Sequence, residues 1–232
     1  MKIAILFKGQ PRFLYNNIAL NSHKKTILDK YDTDIFMHVW WEKNAILETS
    51  SWSRLPQLTC GSNEIEYLLS NYNPNKIKVE PPRKFNLEKK IIDNLYDLFK
   101  NKQQIDNLGN AISQLYSLES VNALFNETDI YKYDFCIVSR YDNVVQSIPD
   151  LSSLDKNFIY LNNMHDRFPD NLFIFSPKFN IFLNAYSNFY DIIYNSRCPV
   201  VESILEASFN KNFNSSLIRQ LGEINTYYLR EL

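Results

Sequence analysis

Arg140 and Asp142, one residue apart at the end of Tyr133-Asp-Phe-Cys-Ile-Val-Ser-Arg-Tyr-Asp142, hold the chemistry most directly written in this chain. A guanidinium presents a planar fork of donors suited to phosphate, and a carboxylate presents hard oxygens suited to Mg²⁺ or Mn²⁺. A diphosphate with its cation is the simplest ligand that needs both. A salt-bridged pair closing a strand end would use the same two residues with no ligand at all. The apolar run Phe135 to Val138 that precedes them reads as a strand buried on both faces of a mostly parallel sheet, and ligands of such sheets bind beyond the carboxyl ends of the strands.

The elements that must position this pair follow from periodicity. Lys2 to Phe7 reads as a first strand, with Gly9-Gln-Pro-Arg12 as a polar loop at its carboxyl end. A helix is expected over residues 13–29, a second strand over Asp34 to Trp40, and a loop over 42–62 that includes Trp52. Asn63-Glu-Ile-Glu66 resembles a capping box opening a short helix, and Lys76 to Glu80 reads as a strand closed by Pro81-Pro82. Apolar residues three and four apart predict helices from Leu87 to Phe99 and from Ile112 to Phe125. After the Arg140 strand come Phe158 to Leu161, a polar loop from Asn162 to Asp170, and Leu172 to Phe175. A helix starting at Ser176-Pro177 should run past Ile193, and a last one should start near Pro199 and pass Glu202 and Glu206. The strand, helix, strand order argues for an α/β chain built from parallel βαβ units.

Composition excludes several classes. The 232 residues carry a formal net charge of −1 without a basic block, so nucleic acid is not an expected partner. Four glycines, Gly9, Gly61, Gly109 and Gly222, cannot write a Gly-x-Gly-x-x-Gly fingerprint or a P-loop, which disfavours a dinucleotide-binding dehydrogenase and a P-loop kinase. Cys60, Cys136 and Cys198 show no metal-binding spacing and read as buried thiols of a reducing compartment. The apolar run at residues 3–7 is too short for a signal peptide and no segment approaches ~20 apolar residues, so a cytoplasmic protein without a transmembrane segment is expected. Neither repeat nor linker divides the chain, and one domain over 1–232, with the last ~20 residues as an extension of unassigned role, is the economical organisation.

The opening Lys2-Ile-Ala-Ile-Leu-Phe-Lys-Gly-Gln-Pro-Arg12, then Asp34 to Trp40, Ser113-Gln-Leu-Tyr-Ser117, Tyr133 to Asp142 and Asp170-Asn-Leu-Phe-Ile-Phe-Ser176, in that order, resemble a group of microbial and viral glycosyltransferases of surface-polysaccharide type. The resemblance covers roughly residues 1–210, with Gly-Gln-Pro-Arg and Arg-x-Asp its most specific parts. It implies a single GT-A-like, Rossmann-like domain that moves a sugar from a nucleotide-diphosphate sugar to a glycan or other hydroxyl acceptor. In that fold an Asp-x-Asp after a central strand holds the cation bridging the donor phosphates. Here Asp142 corresponds to the second Asp, and Arg140 replaces the first.

Under the resemblance, Gln10, Arg12, Arg140 and Asp142 bind the donor, Asp142 with Mn²⁺ or Mg²⁺, and His165 is a further candidate metal ligand. Asp142 is expected to be exposed in a cleft. The departing diphosphate needs charge stabilisation, and an inverting reaction needs a base for the acceptor hydroxyl. Asp166, Asp170, Glu202 and Glu206 are the candidate bases. Glu202 falls in the first turn of the helix begun by Pro199, where an anion also serves helix stability alone. His38 lies near a strand end, and Trp40, Trp41 and Trp52 offer flat faces for a sugar or base but serve equally as packing anchors. Two other readings stand beside the transferase: a sugar nucleotidyltransferase, which would want a Gly-rich loop after the first strand, and a noncatalytic carbohydrate- or nucleotide-binding module, kept open by Arg140 itself.

Overall fold

The computed structural model describes residues 1–47, 58–162 and 168–229. An apolar run with β-branched members forms β1 (Lys2–Gly9), whose residues 3–8 are all buried. Because successive side chains point to opposite faces, Ile3, Ile5 and Phe7 enter one hydrophobic core while Ala4 and Leu6 enter another. The chain continues through α1 (Ile18–His23), β2 (Asp32–Trp40), a hairpin of β3 (Ile46–Leu47) and β4 (Leu58–Thr59), α2 (Glu64–Tyr72) and β5 (Lys76–Glu80). Next come α3 (Lys89–Phe99), α4 (Lys102–Asp106), α5 (Leu108–Asn126), β6 (Phe135–Arg140) and β7 (Asn143–Ser147). The last elements are β8 (Ile159–Asn162), β9 (Leu172–Phe175), α6 (Phe189–Ile193), α7 (Val201–Asn212), β10 (Ile218–Leu221) and β11 (Asn225–Tyr228).

Among the described residues seven strands make the central sheet, in the order β10-β8-β9-β6-β1-β2-β5. From β1 the chain steps outward to β2 and β5, each parallel to its neighbour, then returns to lay β6 parallel on the other side of β1. Winding therefore reverses between β1 and β6, and the loops leaving those two strands part to open a crevice at their carboxyl ends. Beyond β6, β9 runs antiparallel to both neighbours, and β10 joins β8 in parallel. This is the expected α/β architecture, a mostly parallel sheet flanked by helices.

Helix α5 is the main support of one face. Leu115, Leu118, Val121 and Phe125 are fully buried against Ala4, Leu6 and Phe36, each such side chain worth about 1.5–3 kcal/mol of burial. On the other face Leu20, Ile27, Leu68 and Tyr72 cover Ile3, Ile5 and Phe7. Among the described residues no helix is long and apolar enough to cross a membrane.

Several local expectations need correction. The helix expected over 13–29 starts only at Ile18, because Phe13 and Asn17 both take left-handed backbone at φ 57° and a short 3₁₀ turn, Leu14–Asn16, lies between them. Its second half, Lys24–Leu28, widens into a π-turn closed by Asp29 N–H to the Lys24 carbonyl at 3.0 Å. Asn63 does not close a capping box, and it is Glu64 that accepts a bond, from the Gly61 N–H. The segment after Ser176 breaks into a 3₁₀ helix, Pro177–Leu183, and the short α6. Polar ties to α5 interrupt it: Asn122 donates to Asn184 at 2.9 Å, and the Ser187 N–H donates to Glu119 at 2.8 Å. Within the C-terminal residues, whose role was left unassigned, β10 extends the central sheet and β11 pairs with β7.

Candidate functional site

Parallel register sets the first layer of the site. His38 on β2, Lys8 on β1 and Arg140 on β6 are register partners and form one row across three strands. Alternation puts Lys8 on the same face as Ala4 and Leu6, the face covered by α5. Just beyond it Gly9 takes φ +105°, a conformation that a side chain would strain, and turns the chain toward Gln10 and Arg12. Lys8, Gln10, Arg12, Trp40 and Arg140 then line a cavity of about 110 Å³ whose other wall is Asn110, Ser113, Gln114 and Ser117 of α5.

The Arg140 and Asp142 side chains meet as a fork. Arg140 Nε donates to Asp142 Oδ1 at 2.9 Å and Nη2 to Oδ2 at 2.8 Å. Asp142 was expected to be exposed in a cleft. It is 2 % exposed instead, because the turn from β6 into β7 folds its carboxylate beneath the guanidinium. Arg140, with 22 % of its side chain exposed, is the member that faces the cavity. Asp170 lies 3.6 Å from Arg140 Nη1 and accepts a 2.6 Å hydrogen bond from the Tyr228 hydroxyl. The Tyr228 ring lies under the guanidinium carbon at 4.5 Å, so the last strand closes the site from the side of β7.

Burial and charge oppose one another here. Desolvation lowers the Lys8 pKa to about 8; Asp170, Asp142 and Glu202 oppose that fall and Arg140 adds to it. At neutral pH the Lys8 amine is thus mostly protonated yet close to titration. Burial works to raise the Asp142 carboxyl, but the charge and hydrogen bonds of Arg140, with Arg12 behind it, outweigh burial and hold it below the usual carboxylate range. Arg12 is lowered by burial, with Asp142 restoring part of its charge preference. Lys8, Arg12 and Arg140 thus line one cavity, with Asp142 and Asp170 against Arg140 and Glu202 within electrostatic range of Lys8.

Of the expected site residues, Gln10, Arg12, Arg140, Asp142 and Asp170 come together, and Glu202, in the first turn of α7, lies within electrostatic range of Lys8. Glu206 does not join them, being paired with Arg197. Asp166, His165 and Trp52 lie outside the described residues. His38 is fully buried, bonded to Ser117 at 2.7 Å and Glu80 at 2.9 Å, and burial pushes its pKa down to about 4 despite the Glu80 bond. It is bonded to Ser117 of the wall and does not itself line the cavity. Trp41 donates to Glu64 at 3.2 Å, whereas Trp40 lines the cavity.

Lys8 and Tyr228 are the members that sequence reasoning missed. Lys8 had a signal: it continues the Ala4, Leu6 alternation at the carboxyl end of a fully buried strand, where a charged side chain has reason to stand only if partnered. Tyr228 had none, since nothing in its sequence surroundings connects it to Arg140.

The described residues alone do not make a divalent-cation site. Each Asp142 oxygen already accepts from Arg140, positive charge from Arg140 and Arg12 acts on it, and among the described residues no three His, Cys, Asp or Glu side chains are grouped so as to hold one metal ion. What the arrangement can do is receive an anion, through a partly exposed guanidinium, a buried ammonium and a second guanidinium. Neither the protein-family models nor the curated proteins with which the sequence was compared give a match.

Proposed function

We propose that this chain is a glycosyltransferase of GT-A-like fold that takes a nucleotide-diphosphate sugar as donor and a hydroxyl group of a glycan or similar molecule as acceptor. The observation that carries the reading is the convergence of Lys8, Arg12 and Arg140 on one cavity at the β1–β6 switch point, the place where an open α/β sheet receives its ligand. The sequence resemblance supplies the sugar chemistry.

In the reaction the bond between the anomeric carbon and the diphosphate oxygen breaks, and the leaving oxygen takes the electron pair. Lys8, Arg12 and Arg140 stabilise that growing charge. Mn²⁺ or Mg²⁺, if it takes part, would supply the same neutralisation; the three cations can supply it by themselves. The acceptor hydroxyl forms the new bond and gives up its proton. Asp170 and Glu202 are the candidates to receive it in this reading, Asp170 held by Tyr228 and Arg140.

A thermal-shift panel of nucleoside diphosphates, each with and without Mn²⁺, tests the reading first. One nucleotide should raise the melting temperature, Lys8→Met should remove most of that rise, and the matching nucleotide sugars should be turned over. No shift with any nucleotide and no turnover of any nucleotide sugar would overturn it. The closed Arg140–Asp142 fork also favours a second reading, a noncatalytic binder of the same fold. Nucleotide binding without turnover of any donor would select that one.

A further inference from the structure

Beside the Lys8 cavity, and sharing Gln10, Trp40, Asn110 and Ser113 with it, lies a wider cleft of about 520 Å³ between the loop after β5 and the start of α5. Its most unusual lining group is Arg83. The guanidinium carbon stands 3.9 Å from the Tyr116 ring centroid, 5.0 Å from that of Phe85 and 5.7 Å from that of Trp40. Those rings are fixed in turn: Trp40 stacks on Tyr116 at 5.3 Å, and the Tyr116 hydroxyl donates to Glu80 at 3.0 Å. A stacked guanidinium keeps its in-plane N–H fork available for a second partner.

Among the described residues no carboxylate lies within ion-pair distance of Arg83. Asp106, the acid that lines the cleft among the described residues, accepts from the Tyr96 hydroxyl at 2.6 Å. The opposite wall is the first turn of the 19-residue α5, where Gly109 sits so close to the Phe85 carbonyl that a Cβ would meet its oxygen at 2.8 Å. That close packing brings the positive end of the helix dipole up to the Arg83 loop. Trp40 is 3 % exposed, and its indole N–H is bonded to nothing among the described residues. The described lining thus carries two cations, Arg83 and Lys84, against the single carboxylate of Asp106.

We propose that this cleft is a second anion subsite, in which Arg83 holds a carboxylate or phosphate borne by the acceptor sugar. The identification of the occupant as acceptor rests on the transferase reading above, because the two cavities share Gln10, Trp40, Asn110 and Ser113 and, on that reading, the diphosphate belongs to Lys8, Arg12 and Arg140. The substrate class is therefore an acidic or phosphorylated glycan, and a neutral one is disfavoured.

Titration of ¹⁵N-labelled protein with glucuronate, glucose 6-phosphate and neutral glucose, following the indole N–H resonances, tests this directly. Trp40→Phe assigns the Trp40 signal. Glucuronate, glucose 6-phosphate or both should move it, which separates the carboxylate source from the phosphate source, while glucose should leave it in place. Arg83→Gln should weaken the effective sugar at least tenfold, as expected for loss of a charge-assisted bond, and should leave the nucleoside-diphosphate thermal shift unchanged. A Trp40 signal that moves equally with glucose, that moves with none of the three, or that responds identically in Arg83→Gln overturns the subsite. Loss of the nucleotide shift in the unmodified protein would instead count against the transferase reading, so the two failures are distinct.

Discussion

Replacing Asp142 by Ala should cost the fold stability before it says anything about chemistry. The carboxylate is 2 % exposed and holds Arg140 by two hydrogen bonds, at 2.9 and 2.8 Å. Removing one partner of a buried pair costs about 3–5 kcal/mol because the other charge is left uncompensated. Arg140 retains a 3.6 Å approach to Asp170 and is 22 % exposed on its side chain, so water and a second carboxylate moderate the loss. The lower end, about 3 kcal/mol, is the expected value. Since a domain of this kind has about 5–15 kcal/mol to lose, the variant should remain mostly folded but fall markedly in urea midpoint. Equilibrium urea unfolding with matching m-values measures this, and a double-mutant cycle with Arg140→Met isolates the pair. The double variant should be closer to the parent than Asp142→Ala is, because no charge is then orphaned. A loss under about 1 kcal/mol for Asp142→Ala, at unchanged m, would refute the buried-pair account and return Asp142 to solvent.

Gly109→Ala would gain about 1 kcal/mol of helix propensity, but the added Cβ meets the Phe85 carbonyl oxygen at 2.8 Å, so net destabilisation of about 1–2 kcal/mol is expected by thermal unfolding. Tyr228→Phe keeps the ring beneath Arg140 and removes the 2.6 Å bond to Asp170; a loss of about 1.5–3 kcal/mol in urea unfolding is expected for a bond to a charged group. Acid should destabilise the fold through its buried imidazoles. Burial lowers both His23 and His38 from 6.5 to about 4, so their contribution is fully present above pH 6.5 and is lost as pH falls from 6.5 through 4. Each accounts for about 3 kcal/mol at the acid end of that window, and a urea midpoint that stays flat from pH 7 to 4.5 would contradict it.

The parts of the fold that sequence made legible are those in which one short period decides the structure. The alternation through Ile3, Ala4, Ile5 and Leu6, the buried run Phe135 to Val138 and the 3.6 period of α5 each need only local information. Arg12, Arg140, Asp142 and Asp170 were legible as site members because a loop or strand end places them beside one another once the sheet is parallel. What stayed hidden depended on distant partners. Whether Asp142 faces solvent or Arg140 is decided by the turn into β7, and β7 is a strand only because β11 pairs with it. Tyr228 reaches Asp170 across 58 residues of sequence, with no periodic cue. The break in the segment after Pro177 likewise comes from Asn122 and Glu119 on another helix, where tertiary bonds override an apolar pattern that reads as continuous.

The late position of β10 and β11 also sets an order of assembly. A ribosome extends the chain at about 5–20 residues per second, so β1, β2, β5 and β6 can associate seconds before residues 218–228 exist to join them. Through that interval β7 lacks its antiparallel partner, β8 has an open edge, and Arg140 lacks the aromatic ring that later lies beneath it. An open strand edge is a template for wrong pairing until it is covered. Chaperone dependence and aggregation during synthesis should therefore track the last strands to arrive, even though the groups they complete are anchored on the first.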